Sequence, residues 1–347
     1  MAKPKPKAID IFCGCGGTTQ GLRDAGFSVI AGVENDMLAV ATYRRNHPGT
    51  KVWEMDICEL TRQDVLRHHG LQEGELDLLT GCPPCQAFSS IRRLNGKRRI
   101  RDRQSKDLVF EYLRFVEGLK PKVVMLENVP RLIDDYRFTM VRKRLRELGY
   151  AGQPAIFNAA DCGVAQRRHR MVYIASRIGV IDYAAPVAPD ARKTVRDMIG
   201  AIASPGNSGD PLHDFPESRS QRILDLITAI PKDGGSRSAL GKYNQLKCHT
   251  KCNGFKDVYG RMAWDDVAPT ITGGCVNPSK GRFLHPEEDR AITLREAALL
   301  QSFPPDYYFS LDKGKFAVAV LIGNAFPPLF VKHHAVEIRK HLQNGKH

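Results

Sequence analysis

The segment Asp10-Ile11-Phe12-Cys13-Gly14-Cys15-Gly16-Gly17 lies between a first predicted strand, residues 8–12, and a first predicted helix, residues 17–25. Glycines at such a turn let the backbone bend sharply and approach a ligand closely. They do not follow the G-x-G-x-x-G spacing of dinucleotide-binding enzymes, and no Gly-Lys-Ser/Thr sequence follows that could hold a phosphate. The segment therefore predicts either a simple turn or a pocket for a ligand that needs no phosphate site.

Beyond this turn, short apolar runs alternate with amphipathic stretches. The runs are rich in Ile, Val and Leu and end at turn or polar residues, as buried strands do. Further strands are predicted at residues 27–33, 76–80, 123–126, 155–157 and 171–175, and further helices at 36–46 and 107–119. The alternation of strand and helix predicts an α/β fold, with a parallel sheet covered by helices on both faces.

The pattern changes near Asp182. Residues 182–286 are richer in Gly, Pro, Ser and Asn and show no long periodic segment, whereas helical periodicity returns at 293–301 and 315–341. We therefore predict a large domain at residues 1–181, completed by the C-terminal segment 316–347, and a smaller, loop-rich domain at residues 182–315.

The composition bounds the class of protein. Hydrophobic residues make up 42% of the 347 residues, which is ordinary for a soluble globular protein. No stretch approaches the roughly 18 apolar residues of a membrane span, and the N-terminus lacks the apolar core of a signal peptide, so we expect a cytoplasmic protein. Nine cysteines then indicate free thiols. The net charge of +14 favours a nucleic acid partner, with a basic surface kept for solubility as the alternative.

Acidic residues follow the next two strands. Glu34 ends the strand at 27–33, a position from which a carboxylate can bind both hydroxyls of a ribose. Asp56 follows a third candidate strand and could hold an adenine amino group. The first third of the chain therefore predicts a pocket for an adenosine-bearing cofactor.

Two cysteines follow the strand at 76–80, in Gly81-Cys82-Pro83-Pro84-Cys85-Gln86. A cysteine at the carboxyl end of a parallel strand lies in the crevice where α/β sheets bind ligands. Cys82 and Cys85 could form a redox motif, or half of a zinc site with Cys248 and Cys252, or Cys85 could be a nucleophile. The long separation of the pairs and the two rigid prolines disfavour zinc, and no metal is expected.

Other polar groups should meet the same edge of the sheet. Glu127 ends the next strand, where a buried carboxyl could stay protonated and donate a hydrogen bond. Arg168 and Arg170 precede the strand at 171–175 and share one face of an extended segment. A strand-end cap for Glu127 and a solvated basic edge for the arginines are the alternatives.

A basic run follows Cys85. Such a run is usually solvated. Here it directly follows a candidate nucleophile, and phosphate contacts by its residues would give strong salt dependence. It comprises Arg92, Arg93, Lys97, Arg98, Arg99, Arg101 and Arg103.

Taken in order, these segments resemble the motifs of the C5-cytosine DNA methyltransferase family over nearly the whole chain. Phe12-x-Gly14-x-Gly16-Gly17 resembles the first cofactor motif, and Glu34 and Asp56 resemble the ribose and adenine contacts. Pro84-Cys85-Gln86 resembles the catalytic motif, Glu127-Asn128-Val129 the base-binding motif and Gln166-x-Arg168-x-Arg170 the arginine motif. Arg295-Glu296 and Gly323-Asn324-x-x-Pro327-Pro328 resemble the last two motifs, although Ala325-Phe326 and Cys13 depart from the residues usual there.

The resemblance implies a Rossmann-like S-adenosylmethionine-dependent methyltransferase sheet with a smaller, loop-rich target-recognition domain. S-adenosylmethionine is the implied cofactor. The implied cofactor-binding residues are Phe12, Gly14, Gly16, Gly17, Glu34, Asn35, Asp56, Ile57, Pro84, Leu108 and Asn324.

It also implies the chemistry. Cys85 would add to C6 of a flipped-out cytosine, Glu127 would bind N3 and the exocyclic amine, Arg170 would hold O2 and Arg168 would position Glu127 or the adjacent backbone. The implied DNA-binding residues are Gln86, Ser89, Ser90, Arg92, Arg98, Arg99 and Arg101.

The implied partner is double-stranded DNA, and a cognate restriction endonuclease is a further candidate. We expect a monomer without a membrane partner, associated with the nucleoid if the source is bacterial. The rival interpretations are a transfer-RNA cytosine-5 methyltransferase with the same core, a catalytically silent DNA-binding relative and, more distantly, a thiol–disulfide oxidoreductase.

Overall fold

A computed structural model of the chain describes residues 4–84, 107–240 and 257–345. The chain forms two compact units. The first comprises Met1–Asn158, His169–Pro186 and Phe330–His347, and the second comprises Ala159–Arg168 and Val187–Leu329. Residues 159–168 and 316–329, which were predicted to lie in the large domain, belong instead to the second unit.

The first unit contains a seven-stranded sheet in the order β3-β2-β1-β4-β5-β7-β6. The strands are β1 Lys7–Ile11, β2 Ser28–Glu34, β3 Lys51–Glu54, β4 Leu78–Gly81, β5 Val123–Asn128, β6 Ala151–Asn158 and β7 His169–Ser176. The pairs among β1 to β5 are parallel. The carboxyl ends of these strands therefore lie along one edge of the sheet, where α/β folds bind ligands.

The prediction of a wholly parallel sheet is wrong for β7, which runs antiparallel to both β5 and β6. Only residues 159–168 separate β6 from β7. A connection this short cannot carry a crossover helix of a dozen or more residues, whereas it suffices for an antiparallel pair.

The helices divide between the two units. Those of the first unit are α1 Gly17–Asp24, α2 Met37–Asn46, α3 Arg62–His69, α4 Leu108–Leu119 and α5 Tyr136–Glu147. Those of the second are α6 Val195–Ile199, α7 Gln221–Ala229, α8 Leu294–Leu300 and α9 Gly314–Asn324, while α10 Pro328–Asn344 lies almost wholly in the first.

Four of these helices were not predicted from the sequence. In α3 only Val65 is buried, and α5 buries only Phe138, Val141 and Leu145 among twelve residues. Such narrow apolar stripes produce a weak periodic signal. The other two, α6 and α7, are short helices within the segment expected to have no long periodic element. Helix α6 buries Val195 and Ile199, and α7 buries Leu226 and Ile227.

In the second unit, a buried arginine adds polar contacts to loop carbonyls beside an apolar cluster that includes Leu226, Ile227 and Leu284. The fully buried Arg261 guanidinium donates to the carbonyl oxygens of Ile230 at 3.0 Å, Ile227 at 2.8 Å and His285 at 3.1 Å. It also pairs with the carboxylate of Asp289. Buried carbonyl groups need hydrogen-bond donors. Arg261 supplies these donors to the loops, as backbone amides supply them to the paired strands of the first unit.

One segment contradicts the expectation that no stretch resembles a membrane span. Gly314–Asn344 is long and apolar enough by length and composition, and half of its most apolar window is buried. Helices in the core of soluble proteins meet the same criterion, and here the segment consists of two helices, α9 and α10. It therefore carries no membrane assignment.

Candidate active site

The glycine segment after β1 has left-handed backbone at two of its glycines, as the composition predicts, and also at Phe12, where it was not predicted. Phe12, Gly14 and Gly16 have φ angles of 61°, 53° and 98°. A Cβ atom on Gly14 would meet no atom of the described residues within 4 Å. Glycine is favoured at this position by the left-handed backbone, and the space beside it is open.

Glu34 joins the glycine segment to the end of β2. Its Oε2 accepts a hydrogen bond from the Gly14 amide at 2.9 Å, and its Oε1 accepts from the amides of Asn35 and Asp36, each at 2.9 Å. A carboxylate offers about four acceptor positions. The described residues use three of them, which leaves one position, on Oε2, for a ligand hydroxyl.

A buried network of polar side chains connects β1, α1 and α2 next to the glycine segment. It was not predicted from the sequence. The Thr19 hydroxyl lies 2.8 Å from both the Asp10 carboxylate and the Tyr43 hydroxyl. Burial raises the pKa of Asp10 to about 7, an effect that the Thr19 hydrogen bond opposes. An aspartate inside the apolar run 8–12 was the available signal, since a buried acid needs partners.

The loop after β3 carries Asp56 and Ile57. Asp56 is partly buried, and its Oδ1 accepts from the Cys58 amide at 2.9 Å. Arg114 of α4 donates to the carbonyl oxygens of Ile57 at 2.7 Å and Leu60 at 3.1 Å. Arg114, which no sequence motif singled out, therefore sets the path of this loop.

The register of the sheet brings the cysteine and glutamate motifs together. Gly81 of β4 pairs with Leu126 of β5, so the next residues, Cys82 and Glu127, lie side by side. A Cβ on Gly81 would come within 2.9 Å of the Ile11 and Tyr112 side chains, so any larger residue would force those side chains to shift. Asn128 adds a second tie by donating to the Pro83 carbonyl at 2.9 Å.

Glu127 is nearly buried, with 7% of the residue exposed. Arg170 forms an ion pair with it, with its Nε 2.9 Å from Glu127 Oε1. The register of β4 against β5 places Cys82 beside this carboxylate. Arg170 is therefore paired with the carboxylate that Arg168 was expected to position.

The surroundings of Cys82 disfavour it as the nucleophile. Burial, followed by the negative charges of Glu127 and Asp10, raises the pKa of the Cys82 thiol well above its usual value. A thiol kept protonated is a poor nucleophile, which disfavours Cys82 for that role. Several predicted site residues lie outside the described residues: Cys85, Gln86, Ser89, Ser90, Arg92, Arg98, Arg99 and Arg101, as do Cys248 and Cys252.

Arg168 is buried in the second unit. Its guanidinium donates to the carbonyl oxygens of Ile271 at 2.9 Å and Gly323 at 3.1 Å. The buried Gln166 accepts from the Ile271 amide at 2.9 Å. The two residues thus fix the backbone that leads to Asn324, which is exposed at the end of α9 in this unit.

The two remaining cofactor candidates flank the undescribed segment 85–106. Pro84 is exposed, and Leu108 is partly buried at the start of α4. Arg137 donates to the Asp107 carboxylate at 2.8 Å and to the Asp135 carboxylate at 2.7 Å. These ion pairs fix the chain where α4 begins.

Comparison with known proteins supports the family resemblance over nearly the whole chain. The sequence model of the family described as C-5 cytosine-specific DNA methylase matches residues 6–340. The type II methylase M.HgiDII of Herpetosiphon aurantiacus is 36% identical, covering 96% of this chain and 95% of that protein. The type II methyltransferase M1.HphI of Haemophilus parahaemolyticus is 32% identical, covering 96% and 86%.

Solved structures show the same fold. A prophage-encoded chain of E. coli, named as a DNA modification methyltransferase, superposes with a TM-score of 0.68 at 23% identity. The likeness covers 98% of this chain and 100% of that one. The predicted methyltransferase fold is thereby confirmed.

Proposed function

The chain belongs to the C-5 cytosine-specific DNA methylase family and is a DNA (cytosine-5)-methyltransferase; we propose that it acts on a flipped-out cytosine at a short specific sequence in double-stranded DNA, through a covalent adduct of Cys85. The observation that carries this proposal is the nearly buried Glu127 carboxylate. It is paired with Arg170 at 2.9 Å and lies beside Cys82, three residues before Cys85.

We propose S-adenosylmethionine as the methyl donor, which supplies an electrophilic methyl group. The residues of the first unit fit such a group. Among the described residues, nothing fills the space beside Gly14, and one acceptor position of Glu34 is left for a ribose hydroxyl. Asp56 follows β3 along the same sheet edge. Binding of both ribose hydroxyls by Glu34 would require one of its three backbone amides to be released.

The proposed chemistry uses groups of this chain at each step. The Cys85 thiolate adds to C6 of cytosine, and the electron pair of the 5,6 double bond makes C5 the nucleophile that takes the methyl group. Glu127 binds N3 and the exocyclic amine and draws electron density from the ring. Loss of the C5 proton and expulsion of the Cys85 thiolate restore the double bond.

The partner of Arg170 changes in this scheme. Its Nε is engaged by Glu127 in the structure, so cytosine must either share or replace that contact when Arg170 holds O2. Cytosine inside a duplex cannot reach a nearly buried carboxylate, which supports base flipping. Arg168 acts through the carbonyls of Ile271 and Gly323.

DNA contacts are proposed for the basic run after Cys85, and target recognition for the second unit. Both relatives named above are type II methylases, which supports a cognate restriction endonuclease as a functional partner. A monomer in the cytoplasm accords with a net charge of +14 and a DNA substrate.

The test is covalent trapping. Bisulfite sequencing of DNA from cells that express the protein first identifies the methylated site, and a duplex with 5-fluorocytosine at that site is then incubated with protein and S-adenosylmethionine. Fluorine at C5 cannot leave as a proton, so the enzyme stays bonded to DNA. The native protein and Cys82→Ser should form the adduct, whereas Cys85→Ser should not.

The outcomes separate the alternatives. An adduct with Cys85→Ser but not with Cys82→Ser would reverse the assignment of the nucleophile. Methylation of transfer RNA without methylation of DNA would contradict the choice of substrate. Retained activity in both variants would exclude the covalent mechanism.

A further inference from the structure

The turn of the glycine segment is bridged by a hydrogen bond between residues on either side of it. The Thr19 hydroxyl, in the first turn of α1, donates to Oδ2 of Asp10 in β1 at 2.8 Å. Both side chains are fully buried. The hydrogen bond joins the strand that enters the turn to the helix that leaves it, so it limits how far the two ends of the turn can separate.

Tyr43 connects this hydrogen bond to a third element. Its side chain is fully buried in α2, and its hydroxyl lies 2.8 Å from the Thr19 hydroxyl. A threonine hydroxyl has one hydrogen. Because Thr19 uses this hydrogen to bind Asp10, Tyr43 is the donor in the second hydrogen bond. The Tyr43 hydroxyl therefore holds the Thr19 hydroxyl in the orientation that reaches Asp10.

Helix α2 also follows the acidic residue of the proposed cofactor site. It begins three residues after Glu34, whose Oε2 accepts from the Gly14 amide at 2.9 Å. A Cβ on Gly32 of β2 would lie 3.0 Å from the Tyr43 hydroxyl oxygen, so glycine there leaves room for this hydroxyl. The glycine segment is thus tied to β2 and α2 twice, directly by Glu34 and through Thr19 by Tyr43.

These ties bear on ligand affinity. Glycine has the largest conformational freedom of any residue, so Gly14 and Gly16 need contacts from elsewhere to hold one conformation. A site that is ordered before its ligand arrives binds more tightly, because less conformational entropy is lost on binding. Asp10 depends on Thr19 for this order, since its other carboxyl oxygen, Oδ1, has no hydrogen-bond partner among the described residues.

We propose that Tyr43 and Thr19 are positioning residues, whose linked hydroxyls hold the glycine segment in the conformation that binds the methyl donor. This inference rests on the proposed function, in which the segment binds S-adenosylmethionine. Neither hydroxyl contacts the cofactor in this scheme.

The first measurement is the affinity for S-adenosylhomocysteine by isothermal titration. Tyr43→Phe removes only the hydroxyl and should weaken binding about fivefold, the effect of one neutral hydrogen bond. Thr19→Val should weaken it at least as much, whereas Thr19→Ser, which keeps the hydroxyl, should stay within about threefold of the native value.

Tyr150→Phe is the matched control for loss of a buried tyrosine hydroxyl. The Tyr150 hydroxyl donates to the Pro121 carbonyl at 2.5 Å. Pro121 precedes β5, so this contact lies at the amino ends of the parallel strands, away from the proposed cofactor site. Tyr150→Phe should change affinity less than about twofold, although it also loses one buried hydrogen bond.

The second measurement needs no ligand. Hydrogen exchange at residues 12–17 of the free protein reports local opening of the turn. Tyr43→Phe should speed this exchange about fivefold, whereas Tyr150→Phe should leave it unchanged. In DNA methylation, Tyr43→Phe should raise KM for S-adenosylmethionine and lower kcat less than about twofold, because the bound cofactor itself orders the segment.

A double-mutant cycle tests whether the two hydroxyls act together. If they do, adding Tyr43→Phe to Thr19→Val should weaken S-adenosylhomocysteine binding less than about twofold further. Losses that multiply, or equal weakening by Tyr150→Phe, would overturn the proposal, because the hydroxyls would then stabilise only the fold. Native affinity in Tyr43→Phe would overturn this inference alone. A native protein that binds no S-adenosylhomocysteine would overturn the proposed cofactor and this inference with it.

Discussion

Removal of the Glu34 carboxylate is the most direct perturbation of the proposed cofactor site. The carboxylate accepts three backbone amides at 2.9 Å, from Gly14, Asn35 and Asp36. Glu34→Ala would therefore remove a ligand contact and also release the glycine segment from the end of β2. Both effects should weaken binding of the cofactor more than binding of DNA.

The magnitude follows from the hydrogen bonds that the alanine side chain cannot make. A hydrogen bond to a charged group contributes about 1.5–3 kcal/mol, so removal of one ribose hydrogen bond alone should weaken affinity about 10- to 150-fold. The amides of the exposed Asn35 and Asp36 can be rehydrated, so their release adds little. Release of the Gly14 amide adds a further cost in ordering the segment when the cofactor binds.

Isothermal titration with S-adenosylhomocysteine measures this effect. Asp36→Ala is the matched control, because Asp36 lies two residues away and caps α2 through the amides of Leu38 and Ala39. It should cost about 1 kcal/mol of stability and leave affinity within about twofold. Asp56→Ala should also weaken binding. Unchanged affinity in folded Glu34→Ala and Asp56→Ala would refute the pocket assignment.

Three further predictions concern DNA binding, stability and packing. Neutralising Arg98, Arg99 and Arg101 together should flatten the salt dependence of DNA affinity by about one slope unit per phosphate contact removed, and an unchanged slope in a salt titration would mean that the run is only solvated. His334 is fully buried, neither ring nitrogen has a hydrogen-bond partner among the described residues, and burial lowers its pKa to about 3. The unfolded chain takes up this proton near pH 6.5 and the folded chain does not, so native stability is lost as pH falls from 6.5 toward 3, by about 2 kcal/mol at pH 5. His334→Phe should remove that part of the difference between urea unfolding at pH 7.5 and pH 5, and an unaltered difference would contradict the assignment. Finally, a Cβ on Gly323 would lie 2.2 Å from the Thr272 carbonyl carbon, whereas one on Gly49 would meet no described atom within 4 Å. Gly323→Ala should therefore destabilise by about 1–3 kcal/mol and Gly49→Ala should not, and equal melting temperatures would show that the close approach is not required.

The order of buried strands was readable from the sequence because each strand is a local apolar run. The runs at 27–33 and 123–126 correspond to β2 and β5 within one or two residues at each end. The glycine segment was readable for the same reason, since left-handed backbone at Gly14 and Gly16 is a property of the residue itself. The polar helices α3 and α5 were not readable, because each buries too few side chains to impose a period.

The candidate site likewise has features that the sequence predicts and features that it does not. The motif residues and their order are properties of the chain, and they predicted the family that the comparisons support. The partners of those residues are not local. Arg168 reaches Gly323, 155 residues away, while Arg170 pairs with Glu127. A guanidinium binds a carbonyl as readily as a carboxylate, so residue type alone could not assign either partner.

By itself, then, the sequence determined which segments are buried, where the backbone needs glycine and which reactive groups the chain carries, because these depend on single residues or short periods. Only the tertiary structure decided the direction of β7, the pairing of Arg170 with Glu127 and the place of Cys82 beside Glu127. These depend on the register of β4 against β5 and on the connection between β6 and β7. Register and strand direction arise from packing between distant segments, which no local pattern encodes.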